Sequence, residues 1–192
     1  MVKRITHERW VEAQKAERQF HTMSREEGQE HYRKTYEKYF QYLEIDHTRG
    51  FTDKIIIEIG CADFPALQWV NCCHGFLVEP MPSEILKHIA FEKDYEIIAE
   101  PFEEIAVPTC DEIWLLNVMQ HVIDPDLFIE KCKAASDVIR FFEPIDWPIE
   151  IYHPHTFTFE YYKGHFPDAK LYPGTDPGFH TAKCAYGVWS RV

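Results

Sequence analysis

The sequence predicts an α/β chain: a mostly parallel sheet between two layers of helices, with an antiparallel strand at its C-terminal edge. Three observations carry this expectation. The stretch Ile55-Ile56-Ile57-Glu58-Ile59 is almost wholly apolar, as a strand covered on both faces must be, and it breaks at Gly60. A second apolar run, Gly75-Phe76-Leu77-Val78, ends in Glu79 about twenty residues beyond that glycine. After it, short apolar runs and helical segments alternate with brief connections.

The first two runs describe a βαβ unit that binds a nucleoside. A glycine after the strand lets backbone approach a ligand, and an acid at the next strand tip can accept both ribose hydroxyls. A dinucleotide site would need three glycines to seat a pyrophosphate on bare amides. Only Gly60 is present; Ala62 takes the second small position and Phe64-Pro65 follow, and no G-x-x-x-x-G-K-[ST] cradle occurs. Glu58 and Asp63 would repel a pyrophosphate and attract an ammonium or sulfonium. A nicotinamide oxidoreductase is therefore disfavoured.

The remaining elements follow in order. Residues 1–45 read as helix. Thr6 can cap a first segment in which Trp10, Ala13, Glu17 and Phe20 recur at helical spacing. Ser24 with Glu27 forms a capping box for a second, carrying Tyr32, Tyr36, Tyr39-Phe40 and Leu43 on one face. Packing against the sheet is the simplest account of that aromatic stripe. Strands are expected at 54–59, 75–79, 95–98, 112–117 and 137–142. Helices are expected at 65–71, 83–91 and 125–135, with Ser83 and Asp124-Pro125 as start signals. Six prolines loosen the pattern from Pro144 to Pro177. A helix near 156–163 and a hairpin of Lys170–Tyr172 with Thr181–Arg191 complete the chain.

The segment from Glu58 to Asp63 resembles motif I of the class I S-adenosylmethionine-dependent methyltransferases, and the likeness runs from about residue 50 to 145. Leu77-Val78-Glu79-Pro80 resembles that family's second-strand acid. Glu100 to Ile105 resembles the adenine-side segment, and Asp111 to Val122 resembles the fourth strand and its exit. Arg140-Phe141-Phe142-Glu143-Pro144 resembles the end of the fifth strand. The resemblance implies a three-layer Rossmann-like fold in one domain: a helical segment 1–48, a cofactor-binding core 50–145, and acceptor-side elements 146–192. It implies S-adenosylmethionine as cofactor. Gly60, Cys61 and Ala62 would lie against the methionine end, with Glu58 on its ammonium group and Glu79 and Pro80 at the ribose. Pro101, Phe102 and Glu103 would flank the adenine, and Asn117 and Val118 the sulfonium. Helices before the first strand often form a lid in this family, which nominates Trp10, Gln14 and His21. The resemblance departs at Ala62 and at Phe64-Pro65, the latter shortening the first helix.

Methyl transfer needs alignment, and a base where the acceptor loses a proton. His121 and His155 are the candidate bases, because imidazole titrates near neutrality. His153 and Asp146, in the segment after the fifth strand, are candidate acceptor contacts, and His180 is expected on the surface or in the hairpin. No N-P-P-[YFW] run or Pro-Cys nucleophile is present, which points away from nucleobases toward a small molecule, a sugar or a sugar-linked polymer end. The alternative is a catalytically inactive relative serving as a binding or scaffold protein.

Composition sets outer bounds. The 192 residues suit one domain, and a formal net charge of −12 argues against a nucleic-acid partner. No apolar run approaches the roughly 20 residues of a membrane span, and Met1-Val2-Lys3-Arg4 leads into a polar helix. A cytoplasmic protein is expected. Six cysteines without a C-x-x-C pair suggest reduced thiols, with no disulfide and no metal site.

Overall fold

A computed structural model describes residues 2–19, 23–48, 50–176 and 179–191. Phe20 and His21, expected on the first helix and at the lid, lie outside the described residues. Seven strands form one sheet in the order β3-β2-β1-β4-β5-β7-β6. They are β1 (Phe51–Ile59), β2 (Cys72–Val78), β3 (Glu96–Ile98), β4 (Glu112–Leu116), β5 (Val138–Pro144), β6 (Lys170–Tyr172) and β7 (Cys184–Ser190). The first five run parallel, and β7 lies antiparallel between β5 and β6.

The apolar strands are buried on both faces, each face taking alternate residues. Ile57, Ile113, Leu115 and Phe141 pack on one side beneath α4 (Pro125–Ala135) and α5 (Phe159–His165). Ile56, Trp114, Leu116 and Phe142 pack on the other beneath α2 (Arg25–Tyr42) and α3 (Glu84–Lys93). The caps read from the sequence form here: the Thr6, Ser83 and Asp124 side chains each accept an N–H in the first turn, and Ser24 closes its box with Glu27.

Several expected boundaries moved: the helix expected near 156–163 is Phe159–His165, the last strand is Cys184–Ser190 instead of Thr181–Arg191, and two further shifts shape the site. The helix expected at 65–71 is a single 3-10 turn, Ala66–Trp69. The sheet face above it is instead covered by α2, whose Tyr32 stacks on Phe64 with ring centroids 5.1 Å apart. Gly28 of α2 lies so close that a Cβ there would fall 2.1 Å from the Phe64 ring. The aromatic stripe of α2 thus substitutes for the missing helix. The second strand begins at Cys72 instead of residue 75, because Phe51 pairs with Cys72 and extends both strands backwards. At the amino ends of the strands, buried Glu112 accepts from Lys54 (2.5 Å), Arg140 Nε (2.7 Å) and Trp114 Nε1 (3.1 Å). All six cysteines are free thiols. No helix among the described residues is long and apolar enough to cross a membrane.

Phe64 is 2% exposed and seats α2 on the turn. Phe64→Ala is therefore expected to lower the unfolding free energy by about 3–5 kcal/mol, measured by urea titration. A loss below about 1 kcal/mol would mean that α2 holds its position without this contact.

Candidate functional site

The carboxyl ends of β1, β4 and β5 each turn through left-handed backbone. Gly60 has φ +69°, Ala62 +50°, Asn117 +64° and Asp146 +55°. Asparagine and aspartate tolerate this region better than alanine, so Ala62 is the strained member. Gly60 has a second reason to be glycine: a Cβ would sit 2.3 Å from Cγ2 of Val118. The exits of β1 and β4 are thereby pressed together.

Each exit loop is gripped by a glutamate. Glu58 accepts from the N–H of Ala66 (2.7 Å) and Leu67 (2.9 Å). Glu79 accepts from Ala62 N–H (3.0 Å) and Met81 N–H (3.1 Å). Glu103 accepts from Ile123 (2.6 Å) and Asp124 (3.1 Å), and Glu143 from Val118 and Met119 (each 3.0 Å). Burial pushes the Glu58 carboxyl up to about 7 and that of Glu143 up to about 8, with the amide bonds opposing. Burial also raises Glu103.

Above these loops lies a cavity of about 280 Å³. Its floor is Gly60, Cys61, Ala62, Asn117 and Val118; Glu79, Pro80 and Met81 form one wall, Pro101, Phe102 and Glu103 the next. Its roof comes from α1 (His7–Glu17) and α2, through Trp10, Gln14, Glu17, Tyr32, Tyr36 and Tyr39. Trp10 Nε1 donates to the His121 carbonyl (2.8 Å), and Arg9 donates to the carbonyls of Ile151 (2.7 Å) and Glu150 (2.9 Å). Arg18 reaches Asp63 at 3.3 Å. The first helix is therefore bonded to the exits of β1, β4 and β5 alike.

No family model and no curated protein matches the sequence. Solved structures do match. The N-methyltransferase NodS from Bradyrhizobium japonicum WM9 aligns with a TM-score of 0.60 at 13% identity, over 81% of this chain and 94% of that one. It has also been solved with S-adenosyl-L-homocysteine. The Burkholderia thailandensis 1,6-didemethyltoxoflavin-N1-methyltransferase, bound to its substrate and S-adenosylhomocysteine, aligns at 0.63 and 11% identity, over 100% of this chain and 95% of that one. A methyltransferase from Haloferax volcanii, in complex with the activator Trm112, aligns at 0.58 and 12% identity, over 86% and 92%. The chain has the class I methyltransferase fold.

Of the residues that the resemblance nominated, ten cofactor-side positions line the cavity of this methyltransferase fold: Gly60, Cys61, Ala62, Glu79, Pro80, Pro101, Phe102, Glu103, Asn117 and Val118. Glu58 does not. Its side chain is 1% exposed and both oxygens face the 3-10 turn, so it shapes the loop instead of meeting an ammonium group. His155 is likewise displaced from the expected role: it is 2% exposed and its Nε2 bonds to the Val122 carbonyl at 2.8 Å, outside the cavity. Asp146 is solvent-exposed in a left-handed turn, with Lys183 at 4.0 Å, and does not line the cavity. His121 lines the cavity, with Nδ1 3.1 Å from the Tyr152 carbonyl. A proton on Nδ1 donated to that oxygen puts the ring's lone pair on Nε2. His153 stands behind it, ring centroids 4.8 Å apart.

Trp10 and Gln14 do line the cavity, as the lid expectation had them. Sequence reasoning missed the opposite rim. Phe179 and His180 line the cavity, His180 bonds through Nε2 to the Tyr39 hydroxyl, and burial pushes the His180 ring down to about 4. His31, Tyr32 and Thr35 of α2 line the same side. The aromatic stripe was the available signal; its residues pack on the sheet and wall the cavity at once.

Glu143 yields a pH test. Its folded carboxyl binds a proton up to about 8, against an ordinary value near 4.3. The stability it confers is complete below about pH 4.3 and declines as pH rises toward the folded value. Glu143→Gln keeps an acceptor for the two amides but cannot ionise. Between about pH 5 and pH 8, urea unfolding of this variant should show a shallower decline than the parent protein. Identical slopes would mean that Glu143 is ionised in the fold throughout.

Proposed function

We propose that this chain is an S-adenosylmethionine-dependent methyltransferase acting on a small-molecule or sugar-type acceptor. The carrying observation is the Glu79 carboxylate at the tip of β2, 8% exposed yet lining the cavity beside the Gly60–Ala62 loop. Each Glu79 oxygen accepts one backbone N–H and retains further acceptor capacity for ribose hydroxyls. The walls fit the rest of the nucleoside. Phe102 and Met81 offer apolar contact to an adenine, and the Gly60 backbone gives close approach to the methionine end. The bound cofactor supplies an electrophilic methyl group on a sulfonium.

The chain's own contribution is alignment and exclusion of water. Glu58, Glu103 and Glu143 hold the loops, while Asn117 and Val118 stand at the tip of β4 facing the middle of the cavity. The acceptor side would be the rim made by His31, Tyr32, Thr35, Tyr39 and His180, closed by α1. His121 presents imidazole there; a proton held on Nδ1 by the Tyr152 carbonyl makes Nε2 the basic atom. The formal net charge of −12 supports a small acceptor over a nucleic acid.

Calorimetry with S-adenosylmethionine and S-adenosylhomocysteine tests it. Micromolar dissociation constants are expected, and Glu79→Ala should weaken binding by about 1.5–3 kcal/mol, at least tenfold. Absence of binding to either nucleoside would leave a scaffold protein on the same fold.

A further inference from the structure

Three segments that meet at the rim of the cavity bring Glu17 of α1, His121 after β4 and His153 after β5 together. One ligand atom from each lies within 4.8 Å of the other two. We propose that these side chains bind a divalent transition-metal ion of the zinc type. Two imidazoles and one carboxylate form an open donor set, which leaves a coordination position for water or substrate. Imidazole donors select such ions over calcium or magnesium, which take oxygen.

The surroundings favour occupation. Nδ1 of His153 is buried and has no hydrogen-bond partner among the described residues; the Glu150 carboxylate stands 3.6 Å from it, beyond hydrogen-bonding reach. His121 holds its Nδ1 against the Tyr152 carbonyl at 3.1 Å, the backbone contact that orients a metal-ligating imidazole. The bonds from Trp10 to the His121 carbonyl and from Arg9 to the carbonyls of Glu150 and Ile151 fix α1 over both histidine loops before any ion arrives. Bonds of about 2.0–2.1 Å in tetrahedral geometry set donor atoms about 3.4 Å apart, so closure requires roughly an ångström of movement. Glu17, half-buried on the lid helix with three side-chain torsions, can supply it.

Glu17 and His121 both line the cavity, so the open coordination position faces the proposed acceptor rim. A hydroxyl or carboxylate oxygen of the acceptor would bind there; with Nε2 of His121 on the ion, the Lewis acidity of the metal would take the place of that imidazole as the means of activating the acceptor. That role rests on the methyltransferase reading; the ion itself does not.

The full chain, stripped with a chelator, is titrated with Zn2+ by calorimetry and with Co2+ by absorption spectroscopy, without cofactor. The expected result is one ion per chain at micromolar affinity, with a Co2+ d–d band and no thiolate charge-transfer band. Glu17→Gln and His153→Gln should each weaken binding at least about tenfold, while Cys73→Ser and His88→Ala leave it unchanged. Retention of binding in Glu17→Gln, a half-exposed helix position that need not disturb folding, would overturn the assignment. So would a thiolate band, or no binding at about 100 μM ion. Because no arm uses the nucleoside, failure here is separable from failure of the cofactor calorimetry.

Discussion

The structure depends on glutamates gripping backbone. Glu58, Glu79, Glu103 and Glu143 each accept two main-chain N–H groups, and all eight amides lie in loops at the carboxyl ends of the strands or close beyond them. Loops that turn through left-handed backbone cannot satisfy these amides with regular structure, and a buried orphan N–H costs about 1–3 kcal/mol. A carboxylate solves two such problems at once. It does so in a short, stiff loop whose shape then becomes independent of any ligand. Three of the four carboxylates are drawn into this role at the expense of easy ionisation, since burial raises Glu58, Glu103 and Glu143.

The lid follows from the same loops. With only a 3-10 turn between β1 and β2, one face of the sheet would lie open beside Leu67 and Val70. The aromatic helix α2 covers it, and α1 is delivered across the strand exits. Once there, α1 binds the carbonyls of His121, Glu150 and Ile151, and its C-cap Arg18 reaches the Asp63 carboxylate. The amides of the exit loops face buried glutamates while exposed carbonyls face α1. Loop backbone is thus held from both sides, which positions His121 between the cavity and the segment after β5.

Most of the fold was legible because its signals are local. Apolar runs ending in Glu58 and Glu79, caps at Thr6, Ser24, Ser83 and Asp124, and the hairpin strand near Lys170 each depend on neighbours in sequence. The loop residues that line the cavity were legible for the same reason, being strand exits. The role of Glu58 was not. An acid ending an apolar strand is costly to bury alone, which pointed to a ligand, but the partners proved to be two amides eight and nine residues on. His155 and Asp146 failed similarly: nothing in His153-Pro154-His155 tells which imidazole turns toward Val122. The rim at Phe179 and His180 depends on β7 inserting beside β5, a pairing across more than forty residues. The Glu17-His121-His153 cluster joins residues from three separate segments, so no ligand spacing announces it.

The two ends of the sheet show why residue type alone decides so little. Glu112 and Glu143 are both fully buried glutamates, on adjacent strands. Burial opposes ionisation at Glu112 too, but Arg140, Lys54 and Trp114 outweigh it and hold its carboxyl below the usual value. Glu143 meets only amides and rises to about 8. Both act as clamps, but at the amino ends the clamp is an ion pair that locks β1, β4 and β5 to one another. At the carboxyl ends it is a weakly acidic carboxyl that shapes loops while adding little fixed charge beneath the cavity. Under the proposed methyltransferase reading, a cationic sulfur would gain from such a floor, because stray negative charge would bind the cation wherever it touched. The acids that do line the cavity are Glu17 on the lid helix, Glu103, which grips the loop at Ile123 and Asp124, and Glu79 at the tip of β2.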